Sequence, residues 1–314
     1  MDIITKRATR QRAFARPAEA FFNARSALKA MLGRMGVPAK GGVLLPAYIG
    51  WSSREGSGVF DPVRELRAPY SFYRMTRDLL IDLDSLEFEL SHFQPRVVLL
   101  IHYFGYPDPS YLTVTEMAIK AGSLVIEDEA HSLFSDVIGT ACGRAGHVSV
   151  FSLHKMLAVD SGGLALFNDT NWHRGRAVQG DHGLEMLNDA FQYDFAAISS
   201  ARRRNAAFLL ERLASLAPDL RLLRAELPAG VVPQTIPILL ESAPRDLIYS
   251  HMNASGYGVV SLYHTLIEEI APDHYPEAHW IAERILNLPV HQDASLVALD
   301  SMLVQLSTLL RRWG

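Results

Sequence analysis

The run Val97-Val98-Leu99-Leu100-Ile101, a segment from Ser110 to Ala121 closed by Gly122, and the run Leu124-Val125-Ile126-Glu127-Asp128-Glu129-Ala130-His131 follow one another in the chain. The first is a continuous Val/Leu/Ile stretch of the kind found in strands buried on both faces of a sheet, and the third begins the same way. The middle segment reads as a helix, and Gly122 is the residue type that most readily takes the left-handed conformation ending one. Strand, helix and strand make a βαβ unit. Such units cross over right-handedly, imply a parallel sheet and leave ligands beyond the carboxyl ends of the strands. Asp128 and His131 fall at such an end.

Outward from this unit the α/β texture continues. Val43 to Leu45 is a short apolar run ended by Pro46, and Val148 to Phe151 and Leu164 to Phe167 are two more, with Lys155 on the loop between them. From Ala18 to Met35 the residues Phe21, Ala24, Leu28, Met31, Leu32 and Met35 recur at helical spacing, and Gly36 with Pro38 stops the pattern. A long helix is expected from about Ala196 to Leu216, carrying Arg202-Arg203-Arg204, which reads as a solvated face. The texture changes again from Leu227 to Pro237. The expected fold class is α/β, with a mostly parallel central sheet in residues 1–185 and, in residues 186–314, an interdomain helix and a smaller C-terminal α/β domain.

With 314 residues the chain is long for one core and suits two packed lobes. Hydrophobic residues make up 49%, charged residues 20%, and the formal net charge is -4, so no basic excess attracts nucleic acid. No run of about 18 apolar residues is present to span a membrane. The single cysteine, Cys142, excludes an intrachain disulfide or a multi-cysteine metal site within one chain, which fits a reducing cytoplasm. Lys6, Arg7, Arg10, Arg12 and Arg16 stand against one N-terminal acid, Asp2, and read as a solvated arm that packs on a partner subunit.

The chemistry lies in two places. One is the Asp128 to His131 block; the other is Ser152-Leu153-His154-Lys155, with Gly162-Gly163 just beyond. Pyridoxal phosphate (PLP) needs an amine for its aldehyde, an acid for its pyridine nitrogen, clustered donors for its phosphate and a flat apolar face for its ring. Lys155 is the candidate amine and Asp128 the candidate acid, because a carboxylate beside the ring nitrogen favours the cationic pyridinium. The Ser152 hydroxyl is a candidate phosphate donor, and the two glycines permit close backbone approach.

These segments resemble the DegT-type (DegT/DnrJ) sugar aminotransferases of PLP fold type I. The resemblance rests on Leu44-Leu45-Pro46-Ala47-Tyr48, His102-Tyr103-Phe104-Gly105, Asp128-Glu129-Ala130-His131, Phe151 to Lys155, Gly162-Gly163 and Ile285-Leu286-Asn287-Leu288-Pro289-Val290-His291, and it spans roughly residues 20 to 310. It implies Lys155 as the Schiff-base lysine and proton shuttle, Asp128 as partner of the pyridinium, His131 as a contact of the ring hydroxyl and Ser152 as a phosphate ligand. Ala24-Arg25-Ser26-Ala27 resembles the family's phosphate-binding helix start, with Ser26 as hydroxyl donor and Arg25 as a departure. A stacking aromatic is expected just after Pro46, where Gly50 stands instead; Tyr48 and Trp51 are the substitutes. The serine also stands nearer the lysine than the family's pattern has it. By resemblance the protein is a homodimer that moves an amino group from an amino acid, L-glutamate foremost, to a keto group of a nucleotide-linked sugar.

Three other readings compete. A PLP-dependent sugar dehydratase belongs to the same family, but Lys155 argues against it because those members resemble this chain with histidine in that place. A PLP-fold binding or regulatory protein without turnover would account for the short chain and altered lysine loop. Glu127, Asp128 and Glu129 with His131 could ligate a divalent metal, but in a strand Asp128 faces away from both glutamates. His102 and His147 read as satisfied core or loop histidines, and His264 and His291 are substrate-site candidates by resemblance alone.

Overall fold

Seven strands make the larger sheet: β1 (Ala18–Phe21), β2 (Val43–Pro46), β3 (Tyr70–Tyr73), β4 (Val97–Ile101), β5 (Leu124–Asp128), β6 (Val148–Ser152) and β7 (Gly163–Phe167). A computed structural model describes residues 14–39, 41–174, 181–216 and 218–314. The strand order is β1-β7-β6-β5-β4-β2-β3; β3, β2, β4, β5 and β6 run parallel, whereas β7 is antiparallel to β6 and β1 to β7. Every residue of β4, β6 and β7 is buried, which is why β4 and β7 are continuous apolar runs; β6 carries the buried Ser149 and Ser152 among Val148, Val150 and Phe151. The crossover helix Tyr111–Lys120 buries Val114, Thr115 and Ala118, and Gly122 after it takes φ +83°.

A second sheet is formed by β8 (Leu220–Leu222), β9 (Thr235–Leu240) and β10 (Ile285–Pro289) in the antiparallel order β10-β9-β8. Helix Phe195–Leu213 joins the two sheets by packing into two clusters of buried side chains. Phe195 and Ile198 pack in a cluster with Phe151, Leu153 and Leu164 beside β6 and β7, while Leu209 and Leu213 share the main core with Ile236, Ile238 and Leu306. No helix among the described residues is long and apolar enough to cross a membrane.

Two local expectations are corrected. The helix expected from Ala18 begins only at Ala24, as α1 (Ala24–Arg34), because Ala18 to Phe21 pair along β7 from Leu166 to Gly163. Asn23 then caps α1, its side chain accepting from the Ser26 amide at 2.8 Å, a contact worth about 1 kcal/mol. The run Arg202-Arg203-Arg204 is not a solvated face: Arg202 is buried and donates to the Pro233 and Gln234 carbonyls and to Gln292, and only Arg204 is exposed. Of the basic N-terminal arm, Lys6, Arg7, Arg10 and Arg12 lie outside the described residues. Arg16 ties the start of the described chain to Asp136, the Gly143 carbonyl and Asn168.

Candidate active site

β5 and β6 end side by side. Asp128 pairs with Val150, the Glu129 amide donates to the Val150 carbonyl at 2.8 Å, and a 3-10 turn Leu153–Lys155 follows β6 directly. This turn returns Lys155 toward the residues beyond β5, and its Nζ lies 3.1 Å from His131 Nε2. Asp128 and His131 are buried, whereas Lys155 is open to solvent. Protein nevertheless crowds the Lys155 ammonium closely enough that desolvation lowers its pKa, against the opposing fields of Asp128 and Glu55. Lys155 is therefore accessible to a ligand while desolvation weighs against its charged form.

The hydrogen bonds fix the protonation further. The Phe104 amide donates to His131 Nδ1 at 3.2 Å, so a neutral His131 must carry its proton on Nε2. Burial, with Lys155 beside it, pushes the His131 pKa well down, which keeps the ring neutral. Nε2–H then donates to the lone pair of Lys155 Nζ, so the lysine in this contact is an unprotonated amine. Phe104 aims its amide this way because it adopts φ +59° within the turn Tyr103–Gly105, and its ring stacks on His131 at 15°. Asp128 Oδ1 accepts from the Ala130 amide at 3.0 Å, and Oδ2 takes no hydrogen bond among the described residues. Burial raises the Asp128 pKa, opposed by that amide, Lys155 and His102. A cation set against Oδ2 would relieve that burial cost.

The glycine pair brings the start of α1 to the same place. Gly163 pairs with Ser152 on one side and Phe21 on the other, and a Cβ at Gly163 would stand 2.1 Å from the Asn23 carbonyl oxygen. Only a glycine admits this approach of α1 to β7. The amides of Ser26 and Ala27 are taken by Asn23, while those of Ala24 and Arg25 make no bond among the described residues. With the positive end of the helix dipole they are the kind of donors that receive an anion, beside the Ser152 strand end. Ser152 Oγ is 3.3 Å from His154 Nδ1, and Ser26 Oγ donates to Asn23 Oδ1 at 2.9 Å. Arg25 turns to the Glu55 carbonyl and to Asp61 at 3.5 Å.

Of the two aromatic candidates, Tyr48 is buried without a partner for its hydroxyl, and Trp51 is 46% exposed. Tyr48 packs on Tyr103 and on a residue that local pattern did not single out, Tyr263. The Tyr263 ring lies 5.8 Å from the His131 ring and 5.5 Å from each of Tyr48 and Tyr103, and burial with the nearby Asp128 raises its phenol pKa. It takes φ +61°, which costs a non-glycine residue about 1–2 kcal/mol. The signal that could have found it is Gly50, a missing side chain where an aromatic was expected. His264 and His291 are both exposed; His264 Nδ1 is held by the Ser261 carbonyl at 2.6 Å.

On the other face of β5, Glu127 and Glu129 diverge from Asp128, as the strand alternation requires. Glu127 Oε2 takes His102 Nε2 at 2.8 Å and the Gly143 amide at 2.8 Å, and Oε1 takes the amides of Ala145 and Gly146. Burial pushes the Glu127 pKa up, but His102 and the amides of Gly146 and Gly143 win and hold it below the usual carboxylate value. A depressed folded-state pKa contributes stability above the unfolded value, lost as pH falls through the folded one. Glu127→Gln is accordingly expected to cost about 2–4 kcal/mol at neutral pH, read as a shift in the denaturant midpoint. The penalty should shrink toward the acid end; one that does not change with pH would contradict the carboxylate role.

A lysine held as an amine, a buried acid with a free oxygen and a helix start beside a serine are assembled by the seven-stranded sheet. Residues 15–217, more than half of the chain, match the profile of the DegT/DnrJ/EryC1/StrS aminotransferase family. The chain belongs to this family. Among characterised relatives, UDP-N-acetyl-3-dehydro-alpha-D-glucosamine 3-aminotransferase of Acidithiobacillus ferrooxidans is 24% identical over 245 residues, 69% of this chain and 64% of the relative. The dTDP-4-dehydro-2,3,6-trideoxy-D-glucose 4-aminotransferase of Saccharopolyspora spinosa is 26% identical over 235 residues, 62% of this chain and 60% of the relative. The matches thus span less than two thirds of either relative. The fold of this family member is shared with S. venezuelae DesV at TM-score 0.75 and 18% identity, covering 95% of this chain and 85% of that one. It is shared likewise with a DegT DnrJ EryC1 StrS aminotransferase from Brucella abortus at TM-score 0.71 and 22% identity, covering 94% and 85%.

Proposed function

We propose that this family member is a PLP-dependent aminotransferase that transfers an amino group from an amino acid, L-glutamate foremost, to a keto group of a nucleotide-linked sugar. The observation that carries the proposal is the contact of Lys155 Nζ with His131 Nε2 at 3.1 Å, beside buried Asp128. The residues present fit the cofactor. Lys155 offers an unprotonated amine, Asp128 Oδ2 an unengaged acceptor for a protonated ring nitrogen, and the Ala24 and Arg25 amides at the start of α1 with Ser152 an anion site, whereas both Ser26 donors are taken by Asn23. His131 Nε2, which now holds Lys155, would turn its proton to the ring hydroxyl.

When bound, PLP supplies an electrophilic aldehyde and a cationic ring that accepts the electron pair left by a departing proton. Lys155 is the nucleophile toward that aldehyde. Once free of the cofactor, Lys155 Nζ would be the general base that takes the α-proton of the amino acid and the acid that returns it. Asp128 holds the opposite charge in place throughout, so the stabilisation is already organised before the proton moves. The two relatives named above act on a keto group of a UDP- and a dTDP-linked sugar, which supports the acceptor class. A cytoplasmic homodimer, with a lobe boundary near residue 185, completes the proposal.

The purified protein mixed with PLP should develop the visible band of lysine-linked cofactor, and L-glutamate should bleach it. A band that glutamate leaves unchanged would favour the binding-protein reading. Absence of any band would remove Lys155 from its role.

A further inference from the structure

Gly50 has no side chain at the position where the N-terminal lobe would present an aromatic, yet the space above it is filled. A Cβ on Gly50 would stand 2.6 Å from Cδ1 of Tyr263, so the absence of a side chain at 50 and the presence of a ring at 263 are one steric fact. The backbone keeps the two in register. Gly50 bridges Leu266, the Trp51 amide donates to the Thr265 carbonyl at 2.9 Å, and the Ile267 amide to the Ile49 carbonyl at 3.0 Å.

The other end of this segment is clamped by Asn287 in β10. Val260 exchanges backbone bonds with Asn287, at 2.7 and 3.1 Å, and the Leu262 amide donates to Asn287 Oδ1 at 3.0 Å. Asn287 is buried, and its amide nitrogen is fixed on Thr235 Oγ1 at 3.2 Å. Tyr263 sits between the two clamps in the left-handed backbone region, with its ring centroid 5.8 Å from His131, 6.0 Å from Phe104 and 5.5 Å from Tyr48. An aromatic residue held in an unfavourable backbone conformation, by clamps from both lobes and beside Asp128 and His131, marks a constrained position at the site.

We infer that Tyr263, carried by the C-terminal part of the chain, supplies the aromatic wall for the cofactor ring that Gly50 leaves open in the N-terminal part. This rests on the PLP reading above and adds to it a positioning residue and a coupling. Cofactor binding would depend on the contact between segments 49–51 and 260–267, and so on Asn287, which touches nothing in the site.

The test is the affinity of the cofactor-free full chain for PLP, read by quenching of tryptophan fluorescence and by circular dichroism in the visible band. Tyr263→Phe should bind within about twofold of wild type with the same dichroic signal, since the ring and not the hydroxyl forms the wall. Tyr263→Leu, which keeps volume without the flat face, should bind about tenfold more weakly and lose most of the visible dichroism. Gly50→Phe alone should also weaken binding, because its side chain meets Tyr263, whereas Gly50→Phe with Tyr263→Ala should recover to within about threefold of wild type. Wild-type binding and dichroism retained by Tyr263→Leu would overturn this inference while leaving the PLP reading intact. Failure of the wild type itself to bind PLP would overturn both.

Discussion

Lys155→Ala is expected to lower amino transfer by at least about 10⁴-fold and to abolish the visible band that PLP develops with the wild type. The expectation rests on two separate duties of one atom. Nζ is the amine that His131 holds, at 3.1 Å, and in the proposed reaction the same atom would carry the α-proton. Alanine removes both. The fold should survive, because the Lys155 side chain is open to solvent and the turn Leu153–Lys155 is held by backbone bonds from Met156 and Leu157 to Leu153. Unchanged far-ultraviolet dichroism and an unchanged melting temperature would establish that. Lys155→Arg should be as inactive as the alanine variant, since a guanidinium is charged and has no available lone pair at neutral pH. Added methylamine should restore a part of the activity to Lys155→Ala and none to Lys155→Arg. A persistent band in Lys155→Ala would sink the assignment.

Asp128→Asn is expected to reduce turnover by about 10²–10³-fold while leaving the protein folded. Asparagine keeps the Oδ1 acceptor for the Ala130 amide at 3.0 Å and fits the same buried volume. What it lacks is the negative charge at the second oxygen, so a protonated ring nitrogen there loses its partner. A second, independent readout follows from the pKa of Lys155. The Asp128 carboxylate raises that pKa against the lowering by burial, so its removal lets the lysine titrate at a lower pH. The pH profile for the rate of PLP loading should therefore move to lower pH in Asp128→Asn. The two readouts go in opposite directions at neutral pH, with easier loading and slower turnover, and a variant with wild-type turnover would exclude Asp128 from the chemistry.

Much of this architecture was legible in the amino-acid order because burial writes itself into composition. Strands covered on both faces are mostly apolar, so β4 and the start of β5 stood out, and their order with the intervening helix already put Asp128 at a carboxyl end. The alternation of a strand separated Asp128 from Glu127 and Glu129 without coordinates. Lys155 was legible as a loop residue with glycines beyond it. Local reading went wrong where a contact from elsewhere overrode a local period. Ala18 to Phe21 fit a helical spacing but pair with β7, and Arg202 sits in a charged run yet is buried against carbonyls near residue 233.

The sequence by itself determined the fold class, the placing of the acid at a strand end and of the lysine on a loop between two strands, and the family to which the chain is similar, because each depends on short-range pattern or linear order. The tertiary structure alone decided that His131 is held in one tautomer by the Phe104 amide, that α1 approaches Ser152 through Gly163, and that Tyr263 closes over Gly50. Those facts depend on pairs of residues 27, 140 and 213 positions apart, whose juxtaposition is set by strand register and side-chain packing and leaves no periodic trace along the chain.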